Sequence, residues 1–296
     1  MKILVTGASG QVGRDLVDVL DGVVPAGGSA EFQKNLSGFE FQVLGVSHHD
    51  LDVTDEEHVE NALQRLKPDV VINLSAYTAV DLAESQPEAA ELVNAAAVGI
   101  LSKACAAYGS RLLTVSTDYV FDGNKGDSYL ETDQPNPQSA YGRSKWHGEQ
   151  LCSASDTIVR TSWVMGVRGK TVGKVIADRA KTGERVRFVD DQMGSVTCAS
   201  DLAVALARLA VDSPGGIWHV ANSGSATWFD VADWIGELYG REDDFATAIS
   251  TADLSPQPAA PRPTRSDLNT SKFAASYFSL PDWREGLLRF VEGLRR

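Results

Sequence analysis

Five residues, Lys2-Ile-Leu-Val-Thr6, make a short β-branched run, and the chain then turns at once through Gly7-Ala-Ser-Gly10-Gln-Val-Gly13. From Gln11 onward the apolar residues Val12, Leu16, Val19 and Leu20 recur at helical spacing, so the order reads strand, glycine turn, helix. Few features restrict a fold more. Glycines here permit a tight turn, let the backbone approach a pyrophosphate and let helix pack on strand, while the helix N-terminus offers free N–H groups to an anion. A glycine-rich stretch alone is often only a turn. Flanked by this strand and this helix, it reads as a dinucleotide-binding site.

The alternation continues. Strands are expected near residues 41–46, 70–74, 112–116 and 157–160, with helices near 56–66, from about 87 to 107, and over 140–151. Continuously apolar strands alternating with helices predict an α/β fold, a doubly wound parallel sheet covered on both faces. Past Thr161 the pattern loosens into helices near 172–181, 200–211, 229–239 and 283–294 and short strands near 186–188 and 217–220. We read residues 1–165 as a nucleotide-binding domain completed by about 195–222, with 166–194 and 223–296 as a smaller, interleaved substrate-binding region. Residues 22–40, with four glycines, and 254–263, with four prolines, read as loops.

The charge balance narrows the partners. The 296 residues carry 40 Asp and Glu against 27 Lys and Arg, a net of -13, whereas a general binder of nucleic acid or anionic membrane needs cationic surface. No apolar run approaches the ~18 residues of a membrane span. The excess is uneven, -11 over residues 1–148 and -2 over 149–296, which leaves a pyrophosphate in the first half to backbone N–H groups. Three cysteines, Cys105, Cys152 and Cys198, are odd in number and lack Cys-x-x-Cys pairing, which fits a reducing cytoplasm.

Tyr141-Gly-Arg-Ser-Lys145 places a phenol and an ammonium one turn apart on a predicted helix. Tyrosine, with a pKa of about 10, is a poor acid or base at neutral pH, and a cation beside it favours the phenolate and pulls that pKa down. The preceding strand ends in Ser116-Thr117-Asp118, at the sheet edge where open α/β folds put their ligands, so the Thr117 hydroxyl can share a substrate oxygen with Tyr141. Together these features predict hydride chemistry with NADPH or NADH. Ser47, in Val46-Ser47-His48-His49, ends the second strand where an acid would favour NAD and a base NADP, so the choice stays open. Asp52 reads both as an adenine contact and as part of a helix start capped by Thr54.

These residues resemble a known family. The G-x-x-G-x-x-G spacing is that of short-chain dehydrogenases/reductases. Ser-Thr-Asp-Tyr-Val-Phe-Asp-Gly (116–123), Tyr-Gly-x-Ser-Lys-x-x-Gly-Glu (141–149), Arg-Thr-Ser-Trp-Val (160–164), Val-Asp-Asp-Gln-x-Gly (189–194) and Leu-Pro-Asp-Trp (280–283) are similar to the motifs of the dTDP-4-dehydrorhamnose reductases, which have a Rossmann fold. The likeness runs from Leu4 to about Leu288. It implies NAD(P)H-dependent reduction of the C4 ketone of dTDP-4-dehydro-L-rhamnose to dTDP-L-rhamnose, with Tyr141 as proton donor, Lys145 on the nicotinamide ribose and depressing the Tyr141 pKa, and Thr117 on the reacting oxygen. It further implies that Gly10, Gln11, Val12, Asp52, Val53, Ala76, Tyr77 and Thr78 line the cofactor path. Asp118 and Trp163 would touch the sugar, the indole as an apolar wall, and Arg262 or, less well matched, Arg265 would clamp the substrate diphosphate. Some members dimerise through magnesium held by carboxylates; a homodimer and Mg2+ are expectations on that ground, with Asp15 at one ligand position and no match for the others.

The chain departs from the family at Gly194-Ser-Val-Thr197, where Gly-x-Pro-Thr is usual, and at residues 22–40, which have no counterpart. Competing readings are another nucleotide-sugar reductase or an epimerase of the same fold, and a non-catalytic subunit resembling the regulatory subunit of methionine adenosyltransferase. A dehydratase is disfavoured because Tyr119, not a second carboxylate, follows Asp118.

Overall fold

The computed structural model describes residues 1–241 and 245–296. The first half runs β1 (Lys2–Thr6), α1 (Gln11–Leu20), α2 (Ala30–Gln33), β2 (Gln42–Val46), α3 (Glu56–Leu66), β3 (Val70–Asn73), α4 (Val80–Ala83), α5 (Pro87–Glu91), α6 (Ala97–Tyr108), β4 (Arg111–Thr117), α7 (Ala140–Gln150) and β5 (Thr157–Thr161). The second runs β6 (Val164–Met165), α8 (Val172–Thr182), β7 (Val186–Val189), β8 (Met193–Gly194), β9 (Thr197–Cys198), α9 (Ala199–Asp212), β10 (Gly216–His219), β11 (Ala226–Thr227), α10 (Trp228–Leu238), β12 (Ala246–Ile249), α11 (Ser271–Ser276) and α12 (Trp283–Arg295).

Six of these strands form one parallel sheet in the order β10-β5-β4-β3-β1-β2. The chain leaves β1 for β2 on one side and returns to β3 on the other, so the switch point, where such sheets open a crevice at their carboxyl ends, lies between β1 and β3. Successive side chains of a strand face opposite ways, and β1 shows the consequence. Ile3 and Val5 join Leu16 and Val19 of α1 and Leu202 and Leu206 of α9 in one buried layer, whereas Leu4 joins Val59 and Leu63 of α3 and Leu101 of α6 in the other. The doubly wound α/β fold is thereby present, with helices on both faces. A second core, built from Ile176, Val231, Ile235, Leu287 and Phe290, gathers α8, α10 and α12.

Three expectations are corrected. Residues 22–40 are not simply a loop: Ser29 caps α2 by accepting from the Phe32 N–H, a 3-10 turn follows at Lys34–Leu36, and Phe32 packs edge-on against Phe278 at 5.0 Å. The cap of α3 is Asp55, not Thr54, because the Asp55 carboxylate reaches the His58 N–H while the Thr54 hydroxyl donates to Asp52. Between α5 and α6 lies a π-helical turn, Leu92–Ala96, and the continuous helical stretch Pro87–Tyr108 is by length and composition apolar enough to cross a membrane. Its residues Ala90, Ala95, Val98, Leu101 and Cys105 are buried in the protein's own core.

Candidate active site at the carboxyl edge of the sheet

Gly7 follows β1 with φ +65°, and a Cβ there would stand 2.8 Å from the Leu74 backbone; at Gly13 it would stand 2.3 Å from the Gly7 carbonyl oxygen. Only glycine fits either place. The N-cap of α1, Gly10, has no side chain to accept from the first turn, so those N–H groups keep their capacity for an external anion. Such a cradle fits a pyrophosphate. Val12 packs against the core, and the Gln11 amide donates to the Val164 carbonyl at 3.3 Å, tying the turn to the second half of the chain. The Ala8 N–H donates to the Val46 carbonyl, which brings the end of β2 beside the turn. There the Ser47 N–H and hydroxyl both donate to Asp50, at 2.9 and 2.7 Å, and hold its carboxyl below the usual range. A carboxylate therefore does stand at the end of β2, folded back from three residues downstream. Asp52 instead accepts from Thr54, and Val53 packs into the core behind α3, so both side chains are engaged locally.

Beyond β3, Ala76 and Tyr77 are half-buried and Thr78 exposed. The Tyr77 backbone is held on both sides by Asn94 in the π turn, whose side chain accepts from the Tyr77 N–H at 2.9 Å and donates to its carbonyl at 3.0 Å. Asn94 also donates to the Ser144 hydroxyl on α7. The extra residue of the π turn thus joins the loop after β3 to the helix carrying Tyr141 and Lys145. That helix is capped twice: Ser139 accepts from the Gly142 N–H, and Glu84, just after α4, accepts from the Ala140 N–H at 2.7 Å.

Thr117, Tyr141 and Lys145 converge where β4 ends. The Thr117 hydroxyl stands within bonding reach of the half-buried Tyr141 phenol, and the Tyr119 ring meets the Tyr141 ring edge-on at 5.7 Å. The expected lowering of the Tyr141 pKa by Lys145 does not occur here. Burial pushes the phenol up to about 12, the Thr117 hydroxyl lowers it and the Asp118 charge raises it. The Lys145 ammonium points instead to the Val115 carbonyl on β4, at 2.6 Å, and burial brings it down to about 8.

On the substrate side, Asp118 is buried, accepts from Thr117 at 3.1 Å and from Ser266 at 2.6 Å, and is raised by burial to about 6. Trp163 adopts φ +43° and stacks on Trp228 at 4.0 Å between ring centroids, and a Cβ at Gly194 would stand 2.6 Å from its ring. The indole therefore belongs to a two-ring stack, and Trp228 is a member that the sequence reading passed over. Arg262 lies 6.0 Å from the Tyr119 ring but donates to Asp81 of α4 at 2.7 Å, and Arg265 is held by Asp267 and the Gly126 carbonyl.

Comparisons with known proteins show the family. A family model described as the RmlD substrate binding domain matches residues 1–296. The dTDP-4-dehydrorhamnose reductase of Escherichia coli is 36% identical over 99% of this chain and 98% of that protein. The chain belongs to the dTDP-4-dehydrorhamnose reductase family. Crystal structures of family members from Clostridium acetobutylicum (TM-score 0.88, 33% identity, all of both chains) and from Bacillus anthracis in complex with NADP (TM-score 0.85, 32% identity, 98% of both chains) share the fold throughout.

Asp15 does not fit the magnesium-ligand role expected of it. It is 1% exposed, its nearest cation is Arg168 at 3.9 Å, and among the described residues no group of three or more His, Cys, Asp or Glu side chains gathers around a common point. Magnesium at Asp15 is not supported. The positioning residues Asn94, Glu84 and Asp81 were also missed; an Asn inside an otherwise Ala-rich apolar helix was the one local signal available.

Proposed function

We propose that the protein reduces the C4 ketone of dTDP-4-dehydro-L-rhamnose to dTDP-L-rhamnose, a nucleotide sugar for cell-surface polysaccharide, using NADPH or NADH. The observation that carries this is the convergence of Thr117, Tyr141 and Lys145 at the end of β4, on the same sheet edge as the uncapped glycine turn. Names of full-length relatives and an NADP complex of one of them support the same reading. The glycine turn and α1 would hold the pyrophosphate, and Lys145 the nicotinamide ribose. When bound, the nicotinamide supplies the hydride.

Tyr141 then gives its proton to the C4 oxygen. A phenol raised to about 12 carries its proton at neutral pH but is a weak acid; Thr117 already lowers it, and a cation brought beside it would lower it further toward the range a donor needs. Thr117 orients that oxygen by hydrogen bonding, Asp118 and Ser266 line the sugar side, and the Trp163–Trp228 stack walls it off. Arg262 reaches the diphosphate by exchanging Asp81 for it. The three free cysteines support a cytoplasmic setting. Mixing the protein with dTDP-4-dehydro-L-rhamnose and following the loss of NADPH or NADH absorbance tests the proposal, and no oxidation of either cofactor would sink it.

A further inference from the structure

Lys145 is 4% exposed, and a buried ammonium needs more than one carbonyl to offset its lost hydration. One turn along the same face of α7 stands Glu149. Its carboxylate accepts from Arg160 Nη2 at 2.6 Å and Nε at 3.0 Å, and from the Ser116 hydroxyl. Ser116 adjoins Val115, the acceptor of Lys145, so two consecutive residues of β4 receive two residues one turn apart on α7. Arg160, on β5 and 1% exposed, lies under the Phe121 ring at 5.0 Å.

We infer that Glu149, clamped by Arg160 and Ser116, is a positioning residue for Lys145: it fixes this face of α7 against β4 and β5 and supplies the buried negative charge that answers the ammonium. The inference rests on the role given to Lys145 above. Burial drives the lysine down to about 8 and the Glu149 charge opposes that fall. Other titratable groups stand around this space. Burial keeps the Cys152 thiol neutral up to about 12 and His219, next to Arg160, neutral down to about 3, while Asp156 is engaged by Ser102 and the Ser153 N–H.

The test is NADPH affinity as a function of pH above 7, measured by fluorescence titration without any sugar, on the full chain. In the wild type, binding weakens on the alkaline side as Lys145 loses its proton. Glu149→Gln moves that limb down by roughly one pH unit, and Arg160→Gln, which leaves Lys145 as the cation that the carboxylate faces, moves it up. Glu149→Asp leaves it near its wild-type place. A merely structural loss weakens binding equally at every pH. A limb that stays put or moves the same way in both Gln variants, or failure of both to fold, overturns the inference. A protein that binds NADPH with these shifts but does not oxidise it with the nucleotide sugar leaves the inference standing and refutes the proposed reaction.

Discussion

Asp15 gives a sharp test of how this fold handles buried charge. Its side chain is 1% exposed, Oδ1 has no hydrogen-bond partner, and Arg168, 3.9 Å away, is shared with Asp18. Burial raises its pKa from 3.8 to about 7, Arg168 lowering it and Asp18 raising it. Because the folded state holds this proton more tightly than the unfolded chain, stability is full below about pH 4 and is lost as pH rises toward 7. A shift of that size corresponds to at most about 4 kcal/mol above neutrality, trimmed by whatever solvent reaches the partly exposed Arg168. Asp15→Asn keeps the shape and removes the ionisation. Urea unfolding at pH 4.5, 6 and 8 is therefore expected to show variant and wild type nearly alike at the lowest pH, with the variant ahead by about 2–4 kcal/mol at the highest. An equal gap at all three values would refute the argument. So would stabilisation of the wild type by millimolar magnesium at pH 8 that the variant lacks, since that would make Asp15 a metal ligand.

Other substitutions probe the site itself. Tyr141→Phe is expected to lower kcat by about 10²–10⁴-fold with NADPH affinity unchanged, read by stopped-flow and by titration; surviving activity would remove Tyr141 as donor. Gly13→Ala forces a Cβ against the Gly7 carbonyl oxygen, a clash that only backbone movement relieves, and NADPH binding should weaken by at least about tenfold in calorimetry. Asp81→Asn releases Arg262 and should lower KM for the nucleotide sugar severalfold without changing NADPH affinity. A raised KM would mean that the pair orders the proline-rich segment instead.

The periodic elements were legible because their signals are local. The Glu56–Leu66 helix, with Val59, Ala62 and Leu63 on one face, lies where the spacing puts it, and so do the apolar strands of the sheet. The Thr117, Tyr141 and Lys145 cluster was legible from strand end and helix spacing, but the direction of the Lys145 ammonium was not, since a carbonyl of β4 decides it. Asp50 on Ser47, Glu84 on Ala140 and Asp81 on Arg262 are contacts made across turns or far along the chain, and no residue pattern announces them. Trp228 escaped because its partner Trp163 is 65 positions away; only the fold stacks them.

The place of β10 in the sheet bears on how the polypeptide acquires its shape during synthesis. Residues Gly216–His219 pair with β5, and α9, which precedes them, lays Leu202 and Leu206 beside α1. A nascent chain that has left the ribosome only as far as residue 165 thus has an open strand edge and a bare apolar face on α1. It cannot close its first core until some fifty further residues have emerged. Fragments ending there should aggregate, and chaperone capture during translation is the natural remedy for the interval.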